Sequence, residues 1–320
     1  MFQGMRYVYA VYKAGSFSKA AELLYISQPS LSANIKREEA AVGHPIFDRS
    51  MKPLRLTEWG REYIRAAEQI MAVQQQFDTF LQDTESLSTG SLSIGGTSLF
   101  ASWVLPELLA AFSRRHPGIG IELVEESSRE LEKRLLNGEV DFVLDNASLD
   151  PEIYESFVYG DETLLLAVPS GFPVNGNLEE YRIPVSCIAD GSFLEESYKT
   201  VSPAVFKDLP FIFMKPETDT GQRAIEICRE NHYSPKILFS LDQQMTCCNI
   251  ASSGMGIAFI SDTLIRKIPF HDSLVYYKPA GQNIRRRISL YWKKQRYQSS
   301  AMRTFLEELK TAQTGYGGKP

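Results

Sequence analysis

The side chains with the clearest chemical potential lie at Ser27-Gln28-Pro29-Ser30-Leu31-Ser32 and among the cations that follow. Gln28 and Ser32 carry amide and hydroxyl groups that can pair with base edges. Ser30, Lys36 and Arg37 can hold phosphates, as can the N–H groups of a helix start capped by Ser27. Arg49, Lys52 and Arg55 form a second cationic stretch, suited to the phosphates beside a narrow minor groove. A different chemistry is offered farther on. Polar residues fall just before helical patterns: Thr97 and Ser98 in GGTSLF, Asp145 and Asn146 in DNAS, Thr218, Asp219 and Thr220 in PETDTGQR, and Asp242, Gln243 and Gln244 in LDQQM. Such positions can hold a small polar ligand, or can simply cap their helices and bind nothing.

Catalytic and metal chemistry find little support. His44, His116 and His232 fall near predicted helix C-termini, where imidazole is a favourable end group. No nucleophile-elbow, phosphate-loop or zinc-protease motif is present, and no cofactor is expected. Cys187, Cys228, Cys247 and Cys248 show no C-x-x-C spacing. They read as buried inert thiols, with a redox sensor as the alternative.

A chain of 320 residues is long enough for two or three domains. It lacks the ~20-residue apolar run of a membrane helix and a secretory signal, so a cytoplasmic protein without a membrane partner is expected. Its charge is uneven. Residues 1–65 carry ten Lys/Arg against six acids, although the whole chain is at −5. A basic head on an acidic body points to an anionic partner, and double-stranded DNA is the expectation.

The elements that would position these groups follow from spacing. Phe2, Met5, Tyr9 and Tyr12 mark one side of a first helix that Gly15 ends. Ser18 is placed as the cap of a second helix with small inner residues Ala20 and Ala21. After a turn at Tyr25-Ile26, Ser27 caps a third helix, with Pro29 in its first turn and Leu31 and Ile35 inward. This spacing suits a helix-turn-helix whose second helix can enter a major groove, and equally a solvated amphipathic helix in a small helical domain. PIFDRSMKPLRLTEWG adds two short extended runs, a cation-rich hairpin wing around Asp48–Pro53.

At this point the head resembles the LysR-type transcriptional regulators. The matching residues run from GSFSKAAELLYISQPSLSANIK through VGHPIFDRS to LRLTEWG, in order and at matching separations. There are two departures. Ala33 and Asn34 stand where the family commonly has Arg and Gln. Glu38 stands where it usually packs a Leu.

From Glu58 to about Leu87 no proline occurs, and no glycine after Gly60. Trp59, Tyr63, Ala66, Ile70, Val73, Phe77 and Phe80 recur at alternating spacings of four and three, a heptad seam. Such a helix needs a partner or must pack on its own body. A symmetric dimer is favoured, and the resemblance implies dimerisation through this helix. Paired heads would then address a pseudo-palindromic site.

Beyond a polar hinge at Glu85–Ser91, strands and helices alternate as in a parallel α/β sheet. The resemblance implies a two-lobed effector-binding domain like type 2 periplasmic binding proteins. The expected fold is therefore α/β with an all-α-type winged helix-turn-helix head. The expected boundaries are 1–57 for the head, 58–87 for the linker helix and 91–310 for the effector domain. Lobe I would hold about 91–162 and 273–310, and lobe II about 163–272. Crossings are expected near Glu162–Val168 and Ser273–Lys278, with a last helix at about Ser299–Leu309 and a loose TGYGGKP tail. A small polar effector, anionic by family habit, would meet Thr97, Ser98, Asp145, Asn146, Thr218, Thr220 and Gln243. Asp145 and Asp219 weigh against a polyanion. A dimer or tetramer is implied, and RNA polymerase stays open as a further partner. Two rivals remain, an enzyme on this two-lobed fold and a transport-type binding protein. Against the second stand the basic head and the missing signal peptide.

Overall fold

The computed structural model describes residues 2–50, 53–85, 90–269 and 272–316. The chain divides into two compact units, Met1–Leu81 and Gln82–Pro320.

The first unit contains α1 (Met5–Ala14), α2 (Phe17–Leu23), α3 (Gln28–Val42), the hairpin β1 (Phe47–Asp48) with β2 (Arg55–Leu56), and most of α4 (Glu58–Glu85). Gly15 ends α1 in the left-handed conformation, φ +61°. The inward face of α1 is Met5, Val8 and Val11. That differs from the expected aromatic stripe. Phe2 lies before the helix, and Tyr12 is 40% exposed, because a phenol is best placed at the rim of a core where its hydroxyl stays wet. Ser16, not Ser18, is the N-cap of α2. Tyr25 makes the following turn with φ +54° and stands exposed. Leu31 and Ile35 are fully buried against Ala20, Ala21, Ile46, Phe47 and Ile64. Phe47 pairs with Leu56 and Asp48 with Arg55 across the wing.

Helix α4 treats its expected seam in two ways. Tyr63 is 5% exposed and belongs to the core of this unit, together with Ile64 and Ala67. Its place in a dimer seam is therefore corrected, since its ring and hydroxyl are already engaged inside the head. Ala66 and Ile70 are half-buried. Val73, Phe77, Phe80 and Leu81 are large, apolar and exposed. Trp59 is also exposed, and its ring lies flat on His44 at 4.0 Å. The expected end of the helix near Leu87 and much of the hinge lie outside the described residues.

The second unit contains β3 (Gly90–Gly96), α5 (Ser98–Trp103), α6 (Leu105–Arg115), β4 (Ile119–Glu125), α7 (Ser128–Asn137), β5 (Phe142–Asp145) and the long β6 (Tyr154–Pro169). There follow β7 (Arg182–Ile183), α8 (Val185–Asp190), β8 (Thr200–Val201), β9 (Pro210–Met214), α9 (Asp219–Glu230), β10 (Lys236–Leu241), α10 (Gln244–Ser252), β11 (Ile257–Ser261) and α11 (Asp262–Lys267). The chain closes with β12 (Leu274–Pro279), β13 (Arg285–Lys293) and α12 (Ser300–Tyr316). The stretch 98–115 forms two helices rather than one, because Pro106 removes an N–H and starts a new first turn. Helix α12 takes in Thr314 to Tyr316, which were expected to be loose; residues 317–320 lie outside the described residues.

Among the described residues one connected sheet runs β10-β9-β11-β6-β13-β5-β3-β4, with β12 also on β6. In lobe I, β3 lies parallel to β4 and β5, and β13 closes antiparallel on β5. Leu92, Ile94, Phe100, Phe112, Phe142 and Phe305 fill its core. In lobe II, β9 lies parallel to β10 and β11, with apolar cores on both faces. Strand β6 serves both lobes. Its residues Tyr154–Thr163 pair with β13, and Leu164–Ala167 pair with β11. The first crossing thus falls at Glu162–Leu164. The return falls later than Ser273–Lys278. Leu274–Tyr277 still pairs with the lobe II end of β6, and Leu274, Tyr276 and Tyr277 are buried there. The chain returns at Arg285 and Arg286, which pair with Thr163 and Glu162.

Candidate nucleic-acid face and ligand cleft

In the first unit the residues expected to meet DNA fall on α3 and the wing. Ser27 caps α3, its hydroxyl accepting the Ser30 N–H at 3.3 Å. Gln28, Pro29, Ser30, Lys36 and Arg37 are exposed, and Ser32 is half-buried. Asn34 is turned to its own helix, donating to the Ser30 carbonyl at 3.1 Å. Arg55 is exposed. Arg49 is tied down: it pairs with Glu39 at 2.9 Å and lies over the Phe17 ring. Lys52 lies outside the described residues. Sequence reasoning missed what Glu39 does. One of its oxygens accepts the N–H groups of Ile46 and Phe47, so it holds the wing to α3. Its neighbour Glu38 is 6% exposed and also fully engaged. Glu38 stood out in the sequence only as a departure from leucine and Glu39 not at all, because a charge at a helical position is usually at the surface.

In the second unit a cleft of about 800 Å³ opens between the lobes. Lobe I contributes Thr97 and Ser98 at the start of α5, Glu125–Arg129 before and into α7, and Asn146 after β5. Lobe II contributes Met214, Lys215 and Glu217–Thr220 at α9, and Asp242–Gln244 at α10. Thr97, Ser98, Asn146, Thr218, Thr220 and Gln243 are therefore brought together. Asp145 is not, and that expectation is corrected. Its side chain is 2% exposed and does not line the cleft, accepting the N–H groups of Asn146 and Ala147. Burial pushes its carboxyl above the ordinary range.

The cleft residues differ in what they have left to offer. Thr97 is an N-cap whose hydroxyl makes no capping bond. Gln243 caps α10 without using its side chain and is exposed. Thr218 is spent, accepting from the Gly221 N–H and donating to the Lys215 carbonyl. Gly221 is needed there, since a Cβ would stand 2.1 Å from that carbonyl oxygen. Thr220 is buried, accepting from Arg286 at 2.9 Å and Gln244 at 3.1 Å. Asn146 donates to Glu162 at 2.6 Å. Lys215 pairs with Asp242 at 2.8 Å.

Behind this wall lies Arg286, on the strand that returns between the lobes. Its side chain is 1% exposed and is held by Glu162 at 2.6 Å and by Asp219 and Thr220. It thus touches Asp219 and Thr220 of the lobe II wall directly, and reaches Asn146 of lobe I through Glu162. The signal for it was available in IRRRISLYW. On a strand, alternate residues face opposite sides, so the middle of three arginines points inward when its neighbours point out. Arg266 and Asp262 form a second network, in which Asp262 accepts the Thr163 N–H at 2.7 Å.

The thiols divide. Cys228, Cys247 and Cys248 are buried, and burial pushes them up to about 12, 12 and 11. Cys187 is half-buried and lowered by the hydrogen bond from the Tyr198 hydroxyl, at 2.9 Å. No group of His, Cys, Asp and Glu fit for a metal occurs among the described residues. No helix among them is long and apolar enough to cross a membrane.

Two family models match. Residues 2–61 match the bacterial regulatory helix-turn-helix protein model of the lysR family, and residues 85–314 match the LysR substrate binding domain. The chain belongs to the LysR family. It is a DNA-binding transcriptional regulator with an effector-binding domain, and not an enzyme. A probable RuBisCO transcriptional regulator of Gracilaria tenuistipitata var. liui is 27% identical, over 96% of this chain and 94% of that one. The uncharacterized regulator YcgK of Bacillus subtilis is 29% identical, over 95% and 92%. Among solved structures, full-length CbnR complexed with its target DNA has a TM-score of 0.64 at 20% identity, over 98% of this chain and 99% of that one. Full-length BenM has a TM-score of 0.56 at 20% identity, over 100% and 98%. These neighbours show the same fold.

Proposed function

We propose that this LysR-type regulator binds a pseudo-palindromic DNA site as a dimer or tetramer and responds to a small polar effector between its lobes. The supporting observation for the effector is the cleft itself, where six residues chosen for their polar chemistry line one space of ligand size. Five carboxylates and two cations line it, Glu125, Glu126, Glu217, Asp219 and Asp242 against Arg129 and Lys215. A polyanion would be repelled. The anionic effector expected by family habit is therefore narrowed to one with a single anionic group, facing Arg129 and the free Thr97 hydroxyl. At the head, Gln28, Pro29 and Ser32 would face base edges, while Ser27, Ser30, Lys36, Arg37, Arg49, Lys52 and Arg55 would face phosphates or the minor groove.

The exposed Val73, Phe77, Phe80 and Leu81 on α4 support self-association, together with Trp59, Ala66 and Ile70 on the same seam. The partner we propose for that face is a second copy of this chain, in the cytoplasm. RNA polymerase is a further proposed partner at the bound DNA. Sedimentation at low concentration tests the assembly. Phe77→Glu should shift the wild-type species to a smaller mass, because a charge in an apolar interface goes unpaired. An unchanged mass would remove the α4 face from the interface.

A further inference from the structure

Glu38 is a charge in the head's apolar interior, at a position where the family usually packs leucine. It follows Leu31 and Ile35 along the buried side of α3 and is 6% exposed. One carboxylate oxygen accepts the Gly4 N–H at 2.7 Å; the other accepts the Phe2 N–H at 3.0 Å and the Tyr63 hydroxyl at 2.9 Å. Phe2 holds a left-handed φ of +67°, and its ring stacks on Tyr63 at 5.1 Å. A Cβ on Gly4 would stand 2.6 Å from Glu38 Cγ, so glycine is what lets the carboxylate reach the start of α1. Three helices therefore meet at one carboxylate: α1 through its cap Gly4, α3 through Glu38 and α4 through Tyr63.

Leucine would fill the same space without direction, since apolar burial has no preferred angle. Hydrogen bonds have one, and those to a carboxylate are the strong kind. A buried carboxylate is a poor route to stability, and its best-attested use is to select one arrangement among near-equals. Gln28 lies on the same helix, about 15 Å along its axis from Glu38. A tilt of about 10° at the joint would move that front by roughly 3 Å, close to one base-pair step.

We propose that Glu38 is a positioning residue for DNA recognition: its carboxylate locks the recognition helix α3 to the linker helix α4 through Tyr63, and so sets the half-site spacing that paired heads accept. The proposal rests on the dimeric reading given above. It explains why Tyr63 is withdrawn from the exposed part of the α4 seam, and why a glycine precedes α1.

The test uses the full chain and a random-sequence duplex library. Wild-type protein first selects its preferred site and spacing. Tyr63→Phe, which keeps the ring and removes the donor, and Gly4→Ala, which displaces Glu38 without touching α4, are then compared on duplexes with that spacing and with one base pair more or fewer. Affinity for a single half-site is the internal reference. The ratio between preferred and altered spacings should fall roughly tenfold in both variants, the scale of one charge-assisted hydrogen bond. Mass by sedimentation should not change. Unchanged spacing ratios in folded variants would overturn the joint. So would an equal loss on every duplex, half-site included, which marks a merely structural carboxylate. A fall in mass for Tyr63→Phe would return that residue to the dimer interface and overturn the joint as well. A monomeric wild type, seen before any variant is made, would defeat the dimeric reading instead.

Discussion

Arg286 carries the largest residue-scale consequence. It is buried with Glu162 at its side and Asp219 beyond, so truncation would leave the buried Glu162 without its cation, while Asp219 keeps Arg223 at 2.8 Å. Arg286→Met should lower stability by about 3–5 kcal/mol, measured by urea unfolding. Arg286→Lys should recover only part, because an ammonium lacks the planar fork that reaches Glu162, Asp219 and Thr220 together. At the head, Gln28→Ala should cost about 1–3 kcal/mol on a selected site and almost nothing on nonspecific DNA, by competition titration. Equal losses on both would take Gln28 off the base edges. Most of the cleft was legible because hydroxyls and amides before a helix are a local pattern. Asp145 was misplaced because local sequence cannot say whether a capping carboxylate faces a ligand or its own loop. Arg286 was missed, and Glu38 stood out without a role, because their partners lie far away in the chain, at Glu162 and Asp219 for the one and at Gly4 and Tyr63 for the other.

Among the elements, α4 and β6 each do two jobs along their length. The heptad in α4 was readable, but its division was not. Periodicity names a face; only packing decides which part of that face the head has already used. Ile70 packs against the head core, so Ile70→Glu would damage the head as well as any interface, whereas Phe77 stands clear. In β6 the apolar run Leu164–Val168 marks only the lobe II half of the strand, because the other half is only partly buried. Helices α6 and α12 are joined in lobe I by Glu308, which takes Arg115 and, at 2.7 Å, His116. The Arg115 hydrogen bond holds its carboxyl below the ordinary range, with that to His116 adding to it. A depressed carboxylate stabilises above its unfolded value and ceases to do so as pH falls through the folded one. Glu308→Gln should therefore lower the melting temperature near pH 6, and the difference should shrink as pH falls below the ordinary carboxylate range. A constant gap across that range would mean that packing, not charge, is what the side chain contributes.

At the scale of the whole molecule, the function proposed above requires that ligand in the cleft and DNA on the head be energetically linked. An effector can shift DNA binding only by its differential affinity for two arrangements of the assembly, typically ~1–3 kcal/mol. The strands that cross between lobes, with Glu162 and Arg286 at their junction, are where such arrangements would differ. Effectors can be found by a thermal-shift screen of polar metabolites, since binding raises stability by mass action. The deciding measurement is a hydroxyl-radical footprint titration of the selected site, with and without a metabolite from that screen, for wild type and Ser98→Ala. Wild type should show an affinity shift of about 5–150-fold or a changed protection pattern on adding the metabolite. Ser98→Ala should bind the unliganded site like wild type and lose the response. A metabolite that stabilises the protein yet leaves affinity and protection unchanged, or a Ser98→Ala response equal to wild type, would contradict the account.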